Sequence, residues 1–291
     1  MEMGGGFVIE LDIKSFFDTV SHVHLRAILD QRVRDGLLRR MINRWLKAGV
    51  LEGGTVHYPS DGTPQGGVVS PLLANIYLHE VLDRWFQEQV RPRMHGRAEL
   101  VRYADDAVMV FASEADARRV LSVLPKRFGK YGLTLHPEKT RLVEFRPPRS
   151  RPSGGTPRSF DFLGFCHFWG KSQKGRWVVK RKTASSRFTR ALRRVAQWCA
   201  RHLHDSLSVQ QRALTRMLHG HYGYFGITGN SRSLTRFRFE VVRIWRRWLN
   251  RRSQGRTMPW ERFVRLLRRY RLPTARAVHS ICAGYRSEPV S

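Results

Sequence analysis

Three cysteines in 291 residues, Cys166, Cys199 and Cys282, are too few and too scattered for a disulfide framework or a paired-cysteine zinc site. That usage suits a reducing compartment, and the expectation is a cytoplasmic protein. Apolar runs are short as well. None approaches the roughly 18 residues of a membrane span, and the opening MEMGGG lacks the charged segment and apolar core of a secretory signal. Twelve histidines fall into no convincing metal spacing. The close pairs His22/His24, His202/His204 and His219/His221 are read as solvated or base-stacking side chains. Acids are scarce: 23 Asp and Glu stand against 53 Lys and Arg, a formal net charge of +30.

That charge is unevenly spread. Residues 151–291 hold 31 basic against 5 acidic residues, whereas residues 1–150 hold 22 against 18. The halves meet at RPPRSRPSGGTPR (146–158), where Pro, Gly and Ser break every periodicity, as in a linker or long loop. Beyond it, segments 191–203, 210–226, 233–252 and 260–270 repeat apolar or aromatic residues at spacings of three and four with arginine on the remaining faces, which predicts basic amphipathic helices. Such helices also suit anionic membranes or calmodulin-like grooves. Interleaved Arg, Trp, Tyr and Phe favour RNA, because arginine grips phosphate and aromatics take unstacked bases. For Trp245 and Trp248 themselves, helix core is the better reading.

The acids of the first half are placed with equal economy. In FVIELDI (7–13), Phe7, Ile9, Leu11 and Ile13 share one face of a period-two pattern, so Glu10 and Asp12 face the other way. In LVRYADDAVMVF (100–111), two β-rich halves flank Ala104-Asp105-Asp106, which predicts a hairpin with adjacent carboxylates at its tip. Three carboxylates converging from two strands are what two Mg²⁺ ions need to clamp the oxygens of an in-line phosphoryl displacement. Alone, an Asp-Asp pair at a turn is ordinary turn chemistry. Between these strands lies GTPQGGVVSPLLANIYLHEVLDRW (62–85), where Gly62, Gly66 and Gly67 allow close backbone approach to a ligand. There Ser70-Pro71 opens a helix running from Leu72 through Trp85.

The ordered set DIKSFFD (12–18), GTPQGGVVSPLLANIY (62–77), YADD (103–106), GLTLHPEKTRLVEF (132–145) and FDFLGF (160–165) resembles the palm of a reverse transcriptase of the bacterial group II intron type. LHGHYGYFGITGNSRSLTRF (218–237) and the helices after it resemble the thumb-to-maturase region of that family. The resemblance implies an α/β (α+β) polymerase palm over residues 1–170, followed by an all-α basic thumb and maturase-like RNA-binding region over 171–291. It makes Asp12, Asp105 and Asp106 the metal-binding and catalytic triad for two Mg²⁺ ions, with the Ile13 carbonyl a further ligand. Phe17 matches the aromatic that excludes a 2′-hydroxyl, its neighbour Phe16 being the core member of the pair. Gln65 falls at the incoming nucleotide and Lys139 beside the triphosphate. Phe162, Leu163 and Gly164 fall in the primer-gripping hairpin. The implied activity is RNA-directed DNA synthesis coupled to intron RNA binding, with RNA template, DNA or RNA primer and deoxynucleoside triphosphates as partners. The first palm strand begins at Phe7, where the family carries a long fingers region. A non-polymerising RNA-binding splicing cofactor, or a truncated remnant, is therefore the alternative. No zinc pattern accompanies the C-terminal end, which speaks against an appended metal-dependent endonuclease domain.

Overall fold

The computed structural model describes residues 6–47, 50–52, 55–57, 62, 69–148, 158–252 and 257–279. Gln65, Gly66, Gly67 and most of the 146–158 linker-like stretch lie outside the described residues, as does Cys282. The fold mixes helix and sheet. It divides into two units, one comprising Met1–Leu163 and Phe168–Val178, the other Gly164–His167 and Val179–Ser291.

The first unit is organised by a four-stranded antiparallel sheet in the order β4-β5-β1-β6, built from Ala98–Tyr103 (β4), Asp106–Phe111 (β5), Gly6–Leu11 (β1) and Arg141–Phe145 (β6). Between β1 and β4 in sequence lie the helices Phe16–Thr19 (α1), His22–Asp30 (α2) and Gly36–Lys47 (α3), the short strands Val50–Glu52 (β2) and Thr55–His57 (β3), and Ser70–Leu78 (α4). The alternation in FVIELDI holds. Phe7, Ile9, Leu11 and Ile13 join Ala107, Met109 and Phe111 in a core completed by α2, α3, α4 and the helix Glu114–Gly129 (α5). The opposite face is half covered, since Val8, Val108, Val143, Phe145, Phe160 and Trp169 form a smaller cluster. Glu10 and Asp12 lie on that second face, beyond the cluster.

Two helical details depart from the sequence pattern. The helix expected over 72–85 starts at Ser70 and turns π-helical over His79–Arg84 and Phe86–Val90 before a 3₁₀ turn at Arg91–Arg93. Widened turns rotate the apolar positions and keep Val81, Leu82, Trp85, Phe86 and Val90 all inward. The connection that follows is tied down by Asp116, which is 2% exposed. Its carboxylate accepts from the His95 and Gly96 amides and from His95 Nδ1. Burial pushes this acid up, but the His95 and Gly96 bonds and the His95 charge outweigh it and hold it below the usual carboxylate range.

After β7 (Phe160–Phe162), the strands Phe165–Lys171 (β8) and Trp177–Thr183 (β9) complete a three-stranded sheet in the order β7-β8-β9. The helical stretch expected from residue 171 therefore begins only at Ser185, because WVVKRKT is β-rich at its start and extends as strand. The second unit then packs Ser185–Arg201 (α6), Leu207–Phe225 (α7), Ser231–Leu249 (α8) and Trp260–Arg269 (α9) around one core. Trp245 is wholly buried there and Trp248 packs against it from the rim. Two buried amides organise the loops. Gln210 Nε2 donates to the carbonyls of His202, Leu203 and Asp205, while its Oε1 accepts from Trp245 Nε1 at 2.8 Å. Asn230 donates to Thr183 Oγ1 and the Phe225 carbonyl and accepts from the Thr183 amide.

Two histidines read as solvated are buried instead. His22 is 5% exposed and donates through Nε2 to the Gly62 carbonyl at 2.5 Å. His221 is 7% exposed, stacked on Phe237 with ring centroids 3.6 Å apart, and its Nε2 has no partner among the described residues. A flat aromatic ring fills a helix interface as well as a phenyl does, and the burial holds His221 down to about 4. The neutral ring is the folded form, so its contribution is complete above the ordinary value of 6.5. It is lost as pH falls from there toward 4, by about 3 kcal/mol in all. Denaturant unfolding of the second unit, followed by tryptophan fluorescence between pH 7.5 and 4, should show this loss. His221→Phe should flatten that part of the pH profile, and a profile identical to the unaltered chain would show that His221 is not its source.

Candidate active site

The sheet brings the two acid-bearing segments together through register alone. β1 pairs β5 with Phe7 opposite Phe111 and Leu11 opposite Ala107. Asp12 follows the last paired residue of β1 and Asp106 precedes its partner Ala107 on β5, so the same register leads both acids to one end of the sheet. β4 and β5 close with Tyr103 opposite Asp106, which leaves Ala104-Asp105 as a two-residue turn. Ala104 sits at φ 54°, in the left-handed region that alanine occupies only at a cost. Asp12, Asp105 and Asp106 thus lie at the same end of the sheet, with Asp12 and Asp106 on the face away from the helices.

The Asp12 carboxylate is drawn to Lys139, whose Nζ lies 3.1 Å from Oδ2. Among the described residues no three His, Cys, Asp or Glu side chains converge closely enough to hold a metal ion. The Lys139–Asp12 contact is 61% and 38% exposed at its two ends, and such a pair contributes only about 0–1 kcal/mol. It is therefore easily exchanged for another cation. The Asp12 main chain is fixed more firmly: its carbonyl accepts from the His136 amide at 2.8 Å and from Thr140 Oγ1 at 3.3 Å, and the next residue, Ile13, bridges to Leu135. Two positions back, Glu10 pairs with Arg141 and accepts from the Asp161 amide at 2.7 Å, which joins β7 to this face.

Phe16 and Phe17 separate into a core residue and a residue at the core's edge. Phe16 is 3% exposed within the main core and Phe17 is half-buried at its edge, with ring centroids 5.4 Å apart. Gly62 does make a close approach, but to this chain. At φ 89° it lies against the Phe17 and Asp18 carbonyls, where an added Cβ would sit 2.9 Å from each. Its amide donates to the Val20 carbonyl at 2.8 Å. The glycine pins the start of the Gly-rich segment to the turn that carries Phe17. Phe162 ends β7, and the Leu163-Gly164 turn after it is left-handed at both residues, φ 49° and 76°.

One residue was not singled out from sequence. Arg102, on β4 opposite Ala107, faces the helices and is only 13% exposed. It makes a two-pronged contact with Asp83 at 2.7 and 2.6 Å and reaches Asn75 Oδ1 at 2.8 Å. It also donates to the Ala104 carbonyl at 2.8 Å. A single guanidinium thus ties the strained turn to the helical run beneath it. Its partners lie 19 and 27 positions upstream, so only the fold reveals the set.

Residues 4–167 match the family model described as reverse transcriptase (RNA-dependent DNA polymerase). The chain belongs to the reverse transcriptase family. This reverse transcriptase chain is 34% identical over 137 residues to the group II intron-encoded protein LtrA of Lactococcus lactis subsp. cremoris, covering 43% of the chain and 23% of LtrA. It is 34% identical over 173 residues to protein YkfC of Escherichia coli K12, covering 48% of the chain and 44% of YkfC. The aligned part is thus well under half the length of either relative. Among solved structures, telomerase from Candida albicans in complex with a TWJ fragment of telomeric RNA aligns with 91% of this chain and 46% of its own. Identity there is 14% and the TM-score 0.44.

The Arg102 fork should be needed as a unit. Arg102→Lys keeps the charge but cannot hold Asp83, Asn75 and the Ala104 carbonyl together, and Arg102→Gln leaves Asp83 with only the 3.5 Å contact to His79. Both should lower unfolding free energy by about 2 kcal/mol and speed amide exchange in the 103–106 turn. Full protection of that turn in Arg102→Gln would show that the fork does not hold it.

Proposed function

We propose that the chain carries out RNA-directed DNA synthesis as a reverse transcriptase of group II intron type. In this reading the first unit acts as palm and the second as thumb and maturase-like RNA-binding region. The observation that carries it is the β1–β5 register, which leads Asp12 and Asp106 to one end of the sheet, with Asp105 in the turn between paired strands. Three carboxylates are hard oxygen donors of the kind Mg²⁺ prefers, and the Ile13 carbonyl follows Asp12 directly. The donor chemistry therefore suits Mg²⁺, and holding two ions would require Asp12 to leave Lys139 and the three carboxylates to draw together. Bound Mg²⁺ would supply Lewis acidity toward the primer 3′-hydroxyl and the α-phosphate, and neutralise charge on the leaving pyrophosphate. The remaining roles belong to the chain. Asp12, Asp105 and Asp106 would hold the two ions, and Lys139, released from Asp12, stands ready to give its proton to pyrophosphate. Phe17 bounds the sugar site, and Gln65 contacts the incoming nucleotide.

RNA binding is assigned to the second unit on its surface chemistry. Arg187, Arg190, Arg193 and Arg194 are exposed on α6. Aromatics lie among the arginines of α8 and α9: Arg246 is 5.0 Å from the Trp260 ring centroid, and Arg251 is 4.7 Å from that of Trp248. Phe239 and Trp260 are 53% and 44% exposed and offer ring surface to unpaired bases. Across the described residues no helix is long and apolar enough to cross a membrane.

The test separates chemistry from binding. Asp12→Asn and Asp105→Asn should reduce primer extension on an RNA template by at least ~10³-fold, the several kcal/mol of lost metal stabilisation, while RNA affinity stays within about twofold. Iron-generated hydroxyl radicals should cleave the unaltered chain near residues 12 and 105 and spare the variants. Full extension by either variant would overturn the assignment.

The phenylalanine pair gives a second test. Phe17→Ala should admit ribonucleotides into the product. Phe16→Ala should chiefly destabilise the fold, by about 3 to 4 kcal/mol. Ribonucleotide incorporation by Phe16→Ala alone would reverse the two roles.

A further inference from the structure

Along the helical run from His79 to Arg93, and at the start of α5, the first unit matches its cations with acids. Arg84 pairs with Glu80 and Glu88, Arg91 and Arg97 reach Glu99, and Arg118 pairs with Glu114. One place breaks that pattern. Between the π-helical turns and α5 lies a cleft of about 410 Å³, within the range of ligand pockets. Trp85, Val90 and Val120 contribute apolar surface to it, and Arg93, Arg119, Lys126 and Arg127 line it with no acid among its lining residues. Among the described residues none of these four cations has a carboxylate partner.

Two of the four are nonetheless held in place. Arg127 donates through Nε to the Val81 carbonyl at 2.9 Å and through Nη2 to the Glu80 carbonyl at 3.0 Å, with its guanidinium carbon 4.7 Å from the Tyr131 ring centroid. Arg93 donates to the Gln89 carbonyl at 2.5 Å. Neutral acceptors order these side chains without cancelling their charge, so a ligand would not have to immobilise them. Both walls are also irregular helices. One is π-helical, a form that recurs at functional sites, and the other carries Pro125 in its interior. None of Asp12, Asp105 and Asp106 lines the cleft. The cleft is a place apart from the acids.

We propose that this cleft binds a segment of single-stranded RNA, with a base against its apolar surface and flanking phosphates on Arg93, Arg119 and Lys126. An acidic peptide would satisfy the charge. The fixed guanidinium plane of Arg127, 5.7 Å from the Trp85 ring centroid, suits a nucleobase better. The proposal rests on the reading of the chain as an RNA-binding reverse transcriptase.

The probe is an oligouridylate carrying 4-thiouridine, titrated against the full chain across a salt series. Arg119→Gln with Lys126→Gln, both exposed, should leave thermal unfolding unchanged. The double variant should lower the slope of log Kd against log salt by about 1.4, at ~0.7 for each single-strand phosphate released. Arg34→Gln with Lys130→Gln removes the same charge outside the cleft and should leave the slope as it was. Photocrosslinks should map to segments 85–94 and 119–127 and vanish in the cleft variant. An unchanged slope, an equal change in the control, or crosslinks confined to other segments would overturn the cleft alone, and competition by polyglutamate without any RNA crosslink there would do so in favour of a protein partner. Absence of RNA binding by the unaltered chain would overturn this proposal and the broader reading together.

Discussion

Two carboxylates led to one end of the sheet by neighbouring strands constrain this molecule more than any other feature. Any two like charges ~5 Å apart repel by about 1 kcal/mol in water and about 3 kcal/mol at the effective dielectric of a protein surface, so drawing these acids together is costly. The register that imposes this is itself imposed by packing. A one-residue slip of β1 would carry Phe7, Ile9 and Leu11 out of the core, at a cost far above the repulsion. Hydrophobic burial thus holds the acids where electrostatics alone would not. Lys139 offsets part of the cost, and the Arg102 fork keeps the turn from relaxing away.

The surrounding architecture serves that edge. Helices cover one face of the sheet, and the cluster around Val8 and Phe145 covers only part of the other, leaving Asp12 and Asp106 beyond it. Gly62, fastened by His22 and the Val20 carbonyl, brings the beginning of the Gly-rich segment to the turn bearing Phe17. Elements distant in sequence therefore arrive at one place through a backbone hydrogen bond and one buried imidazole.

What the sequence disclosed and what it concealed follow a physical division. The alternation in FVIELDI and the paired halves around Ala104-Asp105-Asp106 are local patterns with strong periodicity, and both strands formed where that pattern runs. The inward Phe16 and Trp245 were legible for the same reason. Arg102 was not, because an arginine on a strand is ordinarily solvated and its partners belong to another element. His22 and His221 were misread because a neutral imidazole counts as polar in a sequence yet packs as an aromatic. Gly62 was taken for a ligand contact when its neighbours are carbonyls of the same chain, a distinction that requires coordinates. The widened turns from His79 to Val90 leave no mark on the apolar spacing that a regular helix would not also leave.

Ala104 carries a consequence for variation at this site. A left-handed residue in a two-residue turn is open to glycine, tolerable for alanine, asparagine or aspartate, and nearly closed to branched or bulky side chains. The filter is the torsion angle, so it acts on the free protein before any template or nucleotide arrives. Diversity at position 104 is therefore limited by conformational inheritance rather than by catalysis, and invariance there would be a record of geometry, not of contact.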